Sequence, residues 1–99
     1  MFTTKLGLNR GKARVWLERG VLRAAGLAHG VAYDVTPSGN TLIITANPQG
    51  ARHVAGTPER PIIDINGARI LAGLGSPGAA LHVTNPAPGV LIVTPPSTR

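Results

Sequence analysis

The chain contains no cysteine, which removes disulfide frameworks, thiolate metal sites and cysteine nucleophiles together. Aromatic residues are almost as scarce: Phe2, Trp16 and Tyr33 are the only ones among 99 residues, so Val, Ile, Leu and Ala must fill the interior. β-Branched side chains pack well on a pleated surface, and that supply favours strands. No apolar run approaches the roughly 18–20 residues that a bilayer crossing requires, and Met1-Phe2-Thr3-Thr4 lacks the charged-then-apolar layout of a secretory signal. A cytoplasmic protein with no membrane association is the expectation. At this length one core is expected, in a single domain spanning residues 1–99.

Acidic residues are also few: four Asp and Glu oppose ten Lys and Arg, for a formal net charge of +6. On so small a domain that excess sets the sign of the surrounding field and suits a polyanionic partner. The charge is uneven as well. Lys5, Arg10, Lys12, Arg14, Arg19 and Arg23 are opposed in the first part of the chain by Glu18 alone. A plainer reading makes the arginines a matter of composition on a solvated face.

An internal repeat organises the rest. Sliding the sequence by 48 residues, without a gap, lays Val15 and Leu17 on Ile63 and Ile65, Leu22 on Ile70, Gly30 on Gly78, Val35-Thr36 on Val83-Thr84, and Leu42-Ile43-Ile44 on Val90-Leu91-Ile92. Apolar class and turn positions agree more than identities do. Each copy, about 2–46 and 50–94, reads as a leading strand, a short apolar strand, a helix of about two turns (Val21 to Leu27, Ala68 to Leu74), a glycine and a hairpin. Helices that short need tertiary packing to persist. The hairpin reversals fall at Pro37-Ser38-Gly39-Asn40 and Asn85-Pro86-Ala87-Pro88-Gly89. The expected fold is therefore mainly β, with about eight strands and two short helices. Two equal halves can interleave and close into a barrel with pseudo-twofold symmetry, which would remove exposed edges.

Catalytic material is thin. Asp34, Asp64, Glu18 and Glu59 are scattered, and His29, His53 and His82 show no ligand spacing, so neither an enzyme nor a metal or other cofactor is expected. Asp34 and His82 occupy equivalent hairpin places, but groups related by a twofold usually lie apart. Asp64, within Pro61-Ile-Ile-Asp-Ile65, must point outward or be paired, with Arg14 or Arg69 as the candidate partner. Trp16 lies either on the surface or in a second core. Gly7-Leu8-Asn9-Arg10-Gly11-Lys12 lacks the spacing of a phosphate loop and its Ser or Thr; its glycines instead let Arg10 and Lys12 reach along a phosphate backbone.

The runs Arg14-Val-Trp-Leu-Glu, Leu22-Arg-Ala-Ala-Gly26, Gly30-Val-Ala-Tyr-Asp-Val35 and Leu42-Ile-Ile-Thr-Ala46 resemble the AbrB swapped-hairpin superfamily, and within it the SymE-like proteins, with Leu27 where that pattern usually has Phe. The likeness covers residues 14–46 and extends to 51–94 through the second copy. It implies a dimer fused into one chain, a monomeric pseudo-dimer or a homodimer of such units, acting as a DNA-binding regulator. Carried over by position, the nucleic-acid contacts implied are Lys5, Arg10, Lys12, Arg14, Arg19 and Arg23, then Arg52, His53, Arg60 and Arg69. Basic character repeats only between Lys5 and His53 and between Lys12 and Arg60; Arg10 meets Pro58 and Arg14 meets Ile62. DNA is the first partner expected. The alternatives are a SymE-like toxin acting on RNA, or a small phage or mobile-element inhibitor that contacts a host defence protein.

Overall fold

The structure, a computed structural model, describes residues 2–96. Among these, the elements run β1 (Phe2–Lys5), β2 (Gly7–Asn9), β3 (Lys12–Glu18), α1 (Gly20–Ala25), β4 (Ala32–Ser38), β5 (Thr41–Ala46), β6 (Arg52–His53), β7 (Ala55–Gly56), β8 (Pro61–Asn66), α2 (Ala68–Leu71), β9 (Ala80–Ala87) and β10 (Val90–Thr94). A 3-10 turn over Ala72–Leu74 extends α2. The chain is mainly β with two short helices. The first leading strand, expected over Phe2–Leu6, ends at Lys5, and β2 forms over Gly7–Asn9 where a flexible loop was expected; the second, expected over Ala51–Ala55, is broken at Val54. In both copies a buried residue, Leu6 or Val54, turns the chain from one sheet into the other.

All strand pairs are antiparallel. One sheet has the order β1-β9-β10-β5-β4-β6 and the other β2-β3-β8-β7. Period-2 alternation drives both. Val15, Leu17, Ile63 and Ile65 face inward from the small sheet, and Tyr33, Leu42, Ile44, Leu81, Val83, Leu91 and Val93 face inward from the large one, with Leu22, Leu27, Leu71 and Leu74 between. Among the described residues no polar or charged residue is buried.

The expectation of a closed barrel is corrected: the two sheets stay open, with β1 and β6 as edges of one and β2 and β7 as edges of the other. At the corners the backbone bonds to a loop instead of continuing a ladder. Leu6 donates to the Ala79 carbonyl at 2.8 Å and accepts from Gly78 at 2.6 Å; Val54 donates to Val31 and accepts from Gly30, both at 2.9 Å. The edge strands are two to four residues long, and short edges offer little to an unwanted strand.

The ladders obey the 48-residue offset over most of the chain. Lys5 faces Ala80 as His53 faces Ala32, and Gly7 faces Arg14 as Ala55 faces Ile62. The central β3–β8 pair maps onto itself about Trp16 opposite Asp64. Gly30 and Gly78, both at positive φ (87° and 92°), make the matching corner bonds. Val35 and Val83 differ in exposure: Val83 is buried opposite Phe2, whereas Val35 is half-buried.

The ungapped alignment fails after Thr84. Thr84 faces Ile92 but Ala87 faces Val90, so Asn85 and Pro86 together oppose Leu91. This is a bulge with one extra residue. Asn85 Nδ2 holds it by donating to the carbonyls of Ala87 and Val90, each at 2.7 Å. Beyond it the working offset is 49. The buried Leu91 and Val93 take the places of the buried Leu42 and Ile44, and Ile43 faces Ile92 on the outer side. Aligning Leu42 with Val90 put a half-buried residue on a core position.

The two parts of the chain are also interleaved. β1 pairs with β9, and β6 with β4. Gly89, at the tip of the β9–β10 hairpin, donates to the Ala25 carbonyl of α1 at 2.7 Å. Reciprocally, Gly73, after α2, lies against the β4–β5 tip so closely that a Cβ there would stand 2.0 Å from the Gly39 carbonyl oxygen.

Candidate nucleic-acid interface

The ten sequence-derived contact residues occupy unlike settings. β2 and β3 are joined by a two-residue turn, Arg10-Gly11, with φ of 53° and 79°. Positive φ at both central residues marks a type I′ turn, which matches the twist of a two-stranded ribbon. Gly11 takes that conformation freely, whereas Arg10 pays a steric cost of about 1–2 kcal/mol. Alternation along β3 then puts Lys12, Arg14, Trp16 and Glu18 on the outer face of the small sheet. Asn9 stands opposite Lys12, Asn66 opposite Arg14 and Asp64 opposite Trp16.

Arg14 is committed locally. Its Nε donates to Asp64 Oδ1 at 3.0 Å and its second guanidinium nitrogen to Asp64 Oδ2 at 2.9 Å, a bidentate pair, and the guanidinium lies 4.5 Å from the centre of the Trp16 ring. Hydrogen bonding to Asp64 raises the pKa of Arg14 further above its already high value. Asp64 therefore has Arg14, not Arg69, as its partner, and Trp16 is an outward residue half-covered by Arg14.

Arg60 is likewise engaged, donating from Nε to Glu18 Oε2 at 3.2 Å. That bond is the main reason the Glu18 carboxyl is held below its usual range, against the opposing effect of desolvation. Arg23 donates to the Glu59 carbonyl. Arg19, exposed and at φ 58°, precedes α1, and its backbone N–H reaches the Pro61 carbonyl at 3.3 Å. Arg52 is half-buried opposite Tyr33, and His53 is exposed opposite Ala32. Lys5 is exposed at the β1 edge, and Arg69 is exposed on α2, three residues past Asn66.

The two ends of the small sheet thus differ sharply. Around the β2–β3 tip, Asn9, Arg10, Lys12 and Asn66 line a hollow of about 230 Å³. Arg10 and Lys12 are exposed and enter no ion pair among the described residues. At the matching end, the turn Thr57-Pro58-Glu59-Arg60 is closed by Arg60 N–H to the Thr57 carbonyl at 3.0 Å and to Thr57 Oγ1 at 3.1 Å. Pro58 fixes φ negative and cannot form the Arg10-Gly11 turn. Glu18 and Glu59 sit among Arg19, Arg23 and Arg60 there. The sequence reading missed Asn9 and Asn66; an amide directly before an Arg-Gly reversal was the available signal.

Other hollows carry less chemistry. One of about 360 Å³ between α1 and the β9–β10 hairpin is walled by Ala24, Gly26, Pro86 and Pro88 with Arg23 at its side. It adjoins another of about 200 Å³ beside Phe2 and Val21. Asp34, the counterpart of His82 in the other hairpin, accepts from Asn47 Nδ2 at 2.6 Å and from the Ala51 N–H at 3.4 Å, and so pins the turn between the two copies. Among the described residues no three His, Asp or Glu side chains group as metal ligands, and no helix is long and apolar enough to cross a membrane. Comparison with protein-family models, with curated proteins and with solved structures finds no match.

Proposed function

We propose that the chain binds nucleic acid, DNA first, as a regulator of AbrB-like swapped-hairpin type in which two copies of the unit are fused. The interleaved β1–β9 and β6–β4 pairings and the near-constant offset of the ladders support the fused-dimer reading. One observation carries the function: two exposed cations and two amides converge on the β2–β3 turn, with no carboxylate among the residues lining that hollow. Lys and Arg there neutralise phosphates and release condensed counterions, while amides can hydrogen-bond base edges.

The reading is tested by titrating a fluorescent mixed-sequence duplex at several salt concentrations, with a single-stranded RNA of the same sequence as competitor. Two phosphate contacts give log K against log[salt] a slope of about −1.8, and Arg10→Ala with Lys12→Ala removes most of it. Affinity and slope unchanged in that variant would reject the assignment. Preferential capture by the RNA would move the reading to the RNA-acting alternative.

A further inference from the structure

Resting on that reading and going beyond it, we infer that the protein engages nucleic acid at one end only, so that one chain occupies one non-palindromic site despite its internal twofold pairing. A fused dimer would ordinarily present two equivalent contacts and favour a two-part palindrome, because symmetric proteins mirror their symmetry in the site they bind. Here the symmetry stops at the surface. The offset places Asn9 on Thr57, Arg10 on Pro58, Gly11 on Glu59 and Asn66 on Glu18, so the second end has lost a cation and both amides and gained two carboxylates.

Lys12 is the single basic side chain of the first tip that the second retains, as Arg60, and there the guanidinium is held by Glu18 at 3.2 Å. Arg23 is turned to the Glu59 carbonyl beside it. The backbone differs too: Arg10-Gly11 adopts positive φ at both positions, and Pro58 forbids that geometry. Turn composition, ion pairing and turn type separate the two tips in the same direction. Arg19 and Arg23 also lie at the Thr57–Arg60 end, but a phosphate approaching the turn itself meets two carboxylates and must displace Glu18 from Arg60 before that guanidinium can hold it.

The experiment moves the tip. Starting from the Arg10→Ala/Lys12→Ala chain, Pro58→Arg and Glu59→Gly are added so that residues 57–60 read Thr-Arg-Gly-Arg. Binding to the same duplex is followed across salt, and stoichiometry is measured by sedimentation. Thermal melting confirms that each chain is folded.

The wild-type chain is expected to bind one per site and to lose nearly all of its salt slope in the doubly substituted chain. Between 50 and 200 mM salt a slope of about 1.8 corresponds to roughly a 12-fold change in affinity. The transplanted chain is expected to recover at least half of that slope from the opposite end. If the doubly substituted chain keeps half of the wild-type slope, the second end is already a contact, and one-ended binding is overturned while nucleic-acid binding stands. A folded transplant that recovers nothing overturns the claim that turn composition makes the site. A wild-type chain that binds neither DNA nor RNA overturns the underlying reading instead.

Discussion

Replacing Leu91 with Ala tests the register of the second hairpin directly. Leu91 is fully buried, faces Ile44 across the β5–β10 ladder and lies opposite the Asn85–Pro86 bulge. Its neighbour Val90 is half-buried on the outer face, opposite Thr45. Truncating a buried Leu costs about 2–5 kcal/mol, the transfer free energy of the lost methyls plus the cavity they leave. With about 3 kcal/mol taken as central, a domain of this size should lose roughly 12–24 °C in melting temperature. Val90→Ala removes methyls already partly in water and should cost about 1 kcal/mol or less. Leu42→Ala should match Leu91→Ala, since the two occupy equivalent core positions. Thermal and urea melts followed by circular dichroism read all three. A Val90→Ala chain destabilised as much as the Leu91→Ala chain would show that the ungapped alignment was right and the inserted bulge wrong.

Two further outcomes follow from the packing. Gly73→Ala should destabilise by about 2 kcal/mol or more, because its Cβ would fall 2.0 Å from the Gly39 carbonyl oxygen and one hairpin tip would have to lift; a melting temperature within a few degrees of wild type would refute the tight approach. Burial raises the pKa of the Tyr33 hydroxyl above its ordinary 10.0. Because the folded state resists ionisation, the stability tied to this group is complete below pH 10 and is lost as pH rises through the raised value. Tyrosinate absorbance, clean because Tyr33 is the only tyrosine, should therefore titrate later in the folded chain than in urea, and coincident curves would contradict the burial.

Much of the architecture was legible because period-2 alternation and turn residues are local signals. Val15, Leu17, Ile63 and Ile65 announce an inward face wherever their strands pair, and Gly30 and Gly78 mark corners that need positive φ. The inserted residue was not legible. Val90-Leu91-Ile92-Val93 is apolar throughout, so shifting it by one against Leu42-Ile43-Ile44 leaves the pattern intact, and only pairing distinguishes the registers. The break at Val54 was hidden for a similar reason, since a corner residue that stays buried looks like any strand residue, and the glycines of Gly7–Lys12 read as a loop where β2 forms. For the site, net charge identified cations but not their commitments. That Arg14 is held by Asp64 and Arg60 by Glu18 depends on which strands are neighbours, while Arg10 and Lys12 stand out because their turn carries them past the end of the sheet.

The pairing of β1 with β9 bears on how the molecule is made. Phe2 faces Val83, and the carbonyl of Ala25 is bonded by Gly89, so residues early in this fold have partners that are synthesised much later. Synthesis proceeds at about 5–20 residues per second, and until most of the chain has emerged the first strand has nothing to pair with. Contacts so distant along the chain slow folding, and they leave residues 2–23, with their six cations, without their partners until β9 and β10 have followed.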